Sequence, residues 1–110
     1  IVFVYTGMGP QWWAMGRELL ETNSLFRNKI EECDKIFKPL AGWSLIEELS
    51  KSEESSRMAE TQIAQPANFA IQIGLTALWE SWGISPDCGI SGKHDAFVKP
   101  ADRCFGFCLA

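Results

Sequence analysis

IVFVYTGMGPQWW, residues 1–13, reads as a buried strand, a tight turn and a helix entrance. The apolar run Ile1–Tyr5 stops at Gly7–Met8–Gly9–Pro10–Gln11 and leads straight into helix-like sequence. Backbone N–H groups at such a junction point outward, toward the positive end of a helix dipole. The unit therefore suits an anion, or an oxygen that becomes anionic during a reaction. It supplies an electrophilic half-site, and a nucleophile has to come from elsewhere.

Working outward, Gln11–Glu21 reads as a helix, with Trp12, Met15, Leu19 and Leu20 at helical spacing. Thr22–Ser24 breaks it and offers capping oxygens. A second helix is expected over Leu25–Phe37, with Phe26, Ile30, Cys33 and Phe37 on one face and Pro39 and Gly42 ending it. Ser44 and Glu47 make a capping-box pattern for a short helix through Leu49. Lys51–Arg57 is polar and charged, as expected of a solvated segment. Ahead of the next helix, Ala67–Trp82, lies TQIAQP (61–66), with proline in a first turn where its missing N–H matters little. That helix is apolar around much of its circumference and so is expected to be buried on several sides. Gly83 closes it, and Ile84–Asp87 leads to another strand. Strand, helices, then strand imply an α/β architecture with a crossover between parallel strands.

The pattern changes at Asp87. A parallel core calls for a short Val/Ile run here, then a turn and a helix. Cys88–Ala110, CGISGKHDAFVKPADRCFGFCLA, has no helical period and only weak alternation.

Composition narrows the function classes. Forty-six per cent hydrophobic residues and five tryptophans exclude a disordered chain. A net charge of −4 provides no basic stripe for nucleic acid. No apolar run approaches the roughly 20 residues that span a bilayer, and no basic region precedes the first strand. The chain opens on Ile in a core strand, so it reads as a piece of a longer polypeptide. Cys33 falls on a helix face as a small hydrophobe. Cys104 and Cys108 with His94 lack a second ligand pair for zinc, so reduced thiols and a cytoplasmic setting are the plain reading.

Other motifs fail on spacing. A Rossmann turn starting at Gly7 needs a third glycine at Trp12. Gly92–Lys93 is followed by His94, not by the Ser or Thr of a phosphate loop. Ser91 and His94 are sequence neighbours, and a catalytic base normally arrives from a distant segment. The Gly7–Gln11 turn keeps its weight, although glycines also suffice for a plain strand-to-helix connection. Gln65, just ahead of Pro66, could equally cap a helix entrance.

Three stretches, TGMGPQWWAMGREL, IEECDKIFKPLAGWSLIEEL and ETQIAQPANFAIQIGLTALWESWGISPD, closely resemble the acyltransferase domain of polyketide synthases and animal-type fatty acid synthases. These are malonyl/acetyl-CoA:acyl-carrier-protein transacylases. The resemblance covers residues 1–87 in collinear order and leaves 88–110 as a divergent tail. It implies the N-terminal part of an α/β-hydrolase-like acyltransferase fold, parallel strands with flanking helices, incomplete. In that family a G-H-S-x-G serine takes the acyl group from coenzyme A and passes it to a carrier-protein thiol, with a distant histidine as base. The resemblance implies that Gln11 gives an oxyanion-hole backbone N–H, that Gly9 contacts substrate and that Gln65 lies near the acyl pocket. It implies acyl-CoA, an acyl carrier protein and the other domains of a multidomain synthase as partners, and neither a metal nor a bound cofactor. The elbow serine falls at about position 93, where this chain has Lys93, and G-H-S-x-G occurs nowhere in it. The expectation is a fragment incapable of transfer alone, its tail a product of frame shift, intron read-through or misassembly. The alternatives are a non-catalytic scaffold or docking piece of a synthase and an unrelated small α/β anion-binding module.

Overall fold

Two short apolar strands 86 residues apart in register, Val2 opposite Cys88 through Tyr5 opposite Ser91, pair in parallel and set the architecture. The computed structural model describes residues 1–7, 9, 11–91 and 94–98. Its elements run β1 (Val2–Tyr5), α1 (Arg17–Thr22), α2 (Ser24–Ala41), α3 (Leu45–Ser50), α4 (Thr61–Ser81), β2 (Cys88–Ser91) and β3 (His94–Val98). A parallel pair needs a long crossover, here the four helices. β3 lies antiparallel beyond β2, giving the order β1-β2-β3.

The tail departs from expectation at its start. A parallel strand does form there, although Cys-Gly-Ile-Ser contains only one aliphatic residue, and an antiparallel strand follows it instead of a helix. Gly89 explains why no Val/Ile run is needed. It is buried, and a Cβ on it would stand 2.9 Å from the Tyr5 ring, so the aromatic side chain of the neighbouring strand fills the space. Gly92, Lys93, Cys104 and Cys108 lie outside the described residues.

Helix boundaries move for identifiable reasons. The segment expected to be helical from Gln11 is a chain of turns until Arg17, because Gly16 takes a left-handed φ of 71° with the Ile71 side chain pressed against it. α2 starts at an Asn23 cap whose side chain accepts from the Phe26 N–H at 2.9 Å. It continues through Pro39, which removes a single helical bond, to Gly42 (φ 79°), whose N–H donates to Lys38 O at 2.9 Å. α4 begins six residues earlier than expected, at Thr61, and carries Pro66 inside it. Ser44 caps α3 through the Glu47 N–H as the capping pattern anticipates, and Asp34 of α2 accepts from both Ser44 Oγ (2.8 Å) and Leu45 N–H (2.6 Å).

The core sits between α2, α3 and α4, where Phe26, Ile30, Leu45, Leu49 and Ile63 are sealed from solvent. Phe26 is wedged against Gly74, where a Cβ would stand 2.6 Å from its ring. Cys33 is buried on α2 as expected, and that burial pushes its thiol pKa up. The Lys51–Arg57 connector is not simply solvated. Its two cations converge on buried Glu48, with Lys51 Nζ at 2.7 Å and Arg57 Nη2 at 2.6 Å from Oε1. Burial pushes the Glu48 carboxyl up, but the hydrogen bonds and charges of Arg57 and Lys51 outweigh it and hold it below the usual carboxylate range.

Candidate functional site

Glycine-rich turns after a first strand lie at the carboxyl end of the sheet, where open α/β folds bind ligands. Here α4 anchors both ends of that turn with adjacent residues. Before it, Gln72 Nε2 donates to Thr6 O (2.8 Å) and lies 3.1 Å from Thr6 Oγ1. After it, Ile71 packs on Gly16. The strand itself is tied to α4 by Tyr5 Oη and Thr76 Oγ1 at 3.0 Å.

Within the loop, Gly9 (φ 132°) donates its N–H to Gln11 Oε1 at 2.7 Å. The Gln11 side chain is thus folded back onto its own loop. No acceptor among the described residues meets the Gln11 backbone N–H. Met8 and Pro10 lie outside the described residues, so Gly9 and Gln11 represent the turn.

Gln65 is half-buried in the second turn of α4. It precedes Gln72 by seven residues, so the two share a helix face to within about 20° and stand roughly 10 Å apart along the axis. Gln72 and Thr76, four residues apart, mark the side of α4 that meets Thr6 and Tyr5, and Gln65 is in helical register with Gln72. Because Tyr5 meets Thr76 and Thr6 meets Gln72, the line continues past the strand end toward Gln65. Gly9 and Gln11 thus share the loop at the strand end, and Gln65 stands on α4 two turns before the loop's anchor Gln72.

Gln72 was missed in the sequence. Its signal was there: a second polar residue in register with Gln65 on a helix that is otherwise mainly apolar. Arg17 was missed as well. Its guanidinium lies 4.9 Å over the Trp13 ring, and Nη2 donates to Leu49 O (3.1 Å) and to Lys51 O.

Chemically, the arrangement offers an anchored backbone donor, and at the same end of the sheet the backbone register sets Ser91 opposite Tyr5 and His94 opposite Ser91. Among those residues no group of three His, Cys, Asp or Glu is placed to hold a metal ion. Among the same residues no helix is long and apolar enough to cross a membrane.

Comparison with known proteins gives this geometry its context. The acyl transferase domain family model matches residues 2–92. The highly reducing polyketide synthase pks5 of Leptosphaeria maculans is 46% identical over 91 residues, covering 81% of this chain and 4% of that protein. A loading acyltransferase from the avermectin modular polyketide synthase superposes with a TM-score of 0.76 at 39% identity, covering 82% of this chain and 28% of that one. The acyltransferase domain of the polyketide synthase PpsC of Mycobacterium tuberculosis does so with a TM-score of 0.68 at 39% identity, covering 82% and 26%. This chain spans a small part of each of these relatives.

Proposed function

The chain belongs to the acyl transferase domain family, and from that premise we propose that it carries the oxyanion side of a polyketide synthase acyltransferase site. Membership displaces the reading as an unrelated anion-binding module. The substrate is an acyl-CoA, the acceptor an acyl carrier protein, and the neighbours are the other domains of a cytoplasmic multidomain synthase. Gln11 offers its backbone N–H to the oxygen that becomes negative when the thioester carbonyl is attacked. A donor already held in an anchored loop stabilises that charge without reorganising. Gly9 brings the backbone close to the substrate, and Gln65 borders the acyl chain. No metal or resident cofactor enters this chemistry.

The observation that carries this reading is the double anchoring of the loop by Ile71 and Gln72, with Gln65 two turns earlier on the same helix. The 110 residues contain no G-H-S-x-G, so the chain by itself forms no acyl-enzyme. We also propose that residues 1–87 are the family part and that the divergent tail begins at Cys88, before the elbow position at Lys93. Sequencing gene and transcript across Asp87–Gly92 tests that boundary: another frame or a skipped intron restoring G-H-S-x-G supports it, and an unbroken frame counts against it.

The functional test is a chimera. Residues 1–87 replace the matching segment of the avermectin loading acyltransferase, and acylation from acyl-CoA is followed by intact mass. The chimera is expected to acylate. Gln11→Pro, which deletes the N–H, is expected to slow it by roughly 100- to 1,000-fold. An undiminished rate in that variant would remove Gln11 from the site. For the unaltered chain with malonyl-CoA no adduct is expected, and one mapped to Ser91 would overturn the reading.

A further inference from the structure

Arg17 stands where a cation is unfavourable, in the first position of α1 at the positive end of that short helix. Its contacts all run elsewhere. Nη2 reaches Leu49 O and Lys51 O, carbonyls at the end of α3 that have no helical partner. The guanidinium carbon lies 4.9 Å from the centroid of the Trp13 ring, two residues beyond Gln11. Between them the chain is a run of turns, closed by Met15 N–H to Trp12 O and Arg17 N–H to Ala14 O, both at 3.2 Å. Trp13 also meets Trp12 edge-on at 6.0 Å. Gln11 is thereby joined to Arg17 by an aromatic pair and two turns, and Arg17 to the end of α3.

We propose that Arg17 is a positioning residue, clamping the Gln11–Gly16 segment to the end of α3 so that the Gln11 N–H keeps one direction. This rests on the reading of Gln11 as the oxyanion donor. Gln72 and Ile71 hold the loop to α4 at its two ends. Arg17 supplies the hydrogen-bonded tie from this segment to α3.

The test uses the full chain, isotope-labelled, with backbone order parameters and the Trp13 indole signal read by NMR without ligand. In Arg17→Ala the Gln11 order parameter is expected to fall from about 0.85, a rigid backbone, to below about 0.6, with the Trp13 indole shifted and the Phe26 and Gly74 amides unmoved. Arg17→Lys keeps the charge and a donor for the carbonyls but loses the forked guanidinium over Trp13, and is expected to recover part of the order at Gln11. Should Arg17→Ala unfold the chain, the lysine variant decides alone: full order at Gln11 with an unshifted indole counts against the guanidinium clamp. Arg27→Ala is the control for losing an arginine that bonds the α1 end through Leu20 O (3.1 Å). Equal loosening of Gln11 in that control, or an unchanged Gln11 in Arg17→Ala, overturns the proposal. Adding acetyl-CoA to the wild type then addresses the donor separately. A silent Gln11 amide sinks the donor reading, while the ligand-free comparison has already decided the clamp.

Discussion

On one side of α4, Phe26, Ile30, Leu45, Leu49 and Ile63 are closed away from water; on the other, Val4 is 69% and Trp82 64% exposed. The helical side is a finished interior, with a ring wedged onto a glycine and a carboxylate neutralised by two cations. The sheet side is joined through a few polar contacts, Tyr5 to Thr76 and Gln72 to Thr6, and leaves Val2, Leu75, Trp79 and Trp82 open. The same helix thus serves a core that is complete and a surface that is not. Stability resides in the first, and the candidate site is built on the second.

The largest effect that would break this contrast is loss of the wedge. Phe26→Ala should destabilise the chain by about 3–5 kcal/mol, read as a lowered urea midpoint. An effect under about 1 kcal/mol would show that the helical side is not where stability lies. Next comes the Glu48 knot. A carboxyl whose folded pKa is depressed contributes stability that is present above its unfolded value, about 4.3, and fades as pH falls through the folded one. Wild type should therefore lose urea resistance over that acid range, and Glu48→Gln should be less stable at neutral pH by about 1–2 kcal/mol and lack that component of the pH dependence. Parallel acid profiles for the two proteins would remove Glu48 from the account.

Gly89→Val sharpens the other half. A side chain there collides with the Tyr5 ring, so near-ultraviolet dichroism and the Tyr5–Thr76 contact should change, while the urea midpoint of the helices moves less than in Glu48→Gln. A loss comparable with Phe26→Ala would mean that the two sides unfold as one. The smallest stability effect belongs to Trp79→Gln with Trp82→Gln. Their rings meet edge-on at 5.5 Å on the open face, so stability should change by at most about 0.5–1 kcal/mol while solubility rises.

The helical side was largely legible in the sequence. Four-and-three spacing of Phe26, Ile30, Cys33 and Phe37 placed α2, and the Ser44 pattern placed α3. What the pattern missed were ends set by tertiary contact: Gly16 turning against Ile71, and helices that run through Pro39 and Pro66. The strand that Ile84–Asp87 leads to is β2, parallel to β1 as expected, but its own residues did not show it because its space is filled from Tyr5, 84 positions away. At the site, the resemblance supplied Gly9, Gln11 and Gln65. The anchors were harder to see, since nothing local to Arg17 announces carbonyls 32 and 34 residues further on.

β1 has consequences for anyone preparing this protein. Among the described residues it forms one edge of the sheet, its side chains include no charge or proline, and Val2 and Val4 face outward. An uncharged aliphatic edge is a template for further strands. Light scattering should grow with concentration, and yield from a bacterial host should depend on expression temperature. A single gatekeeper, Val4→Lys, projects from the open face and leaves Phe3 and Tyr5 in place. It is the change to make before attempting labelled samples at spectroscopic concentrations.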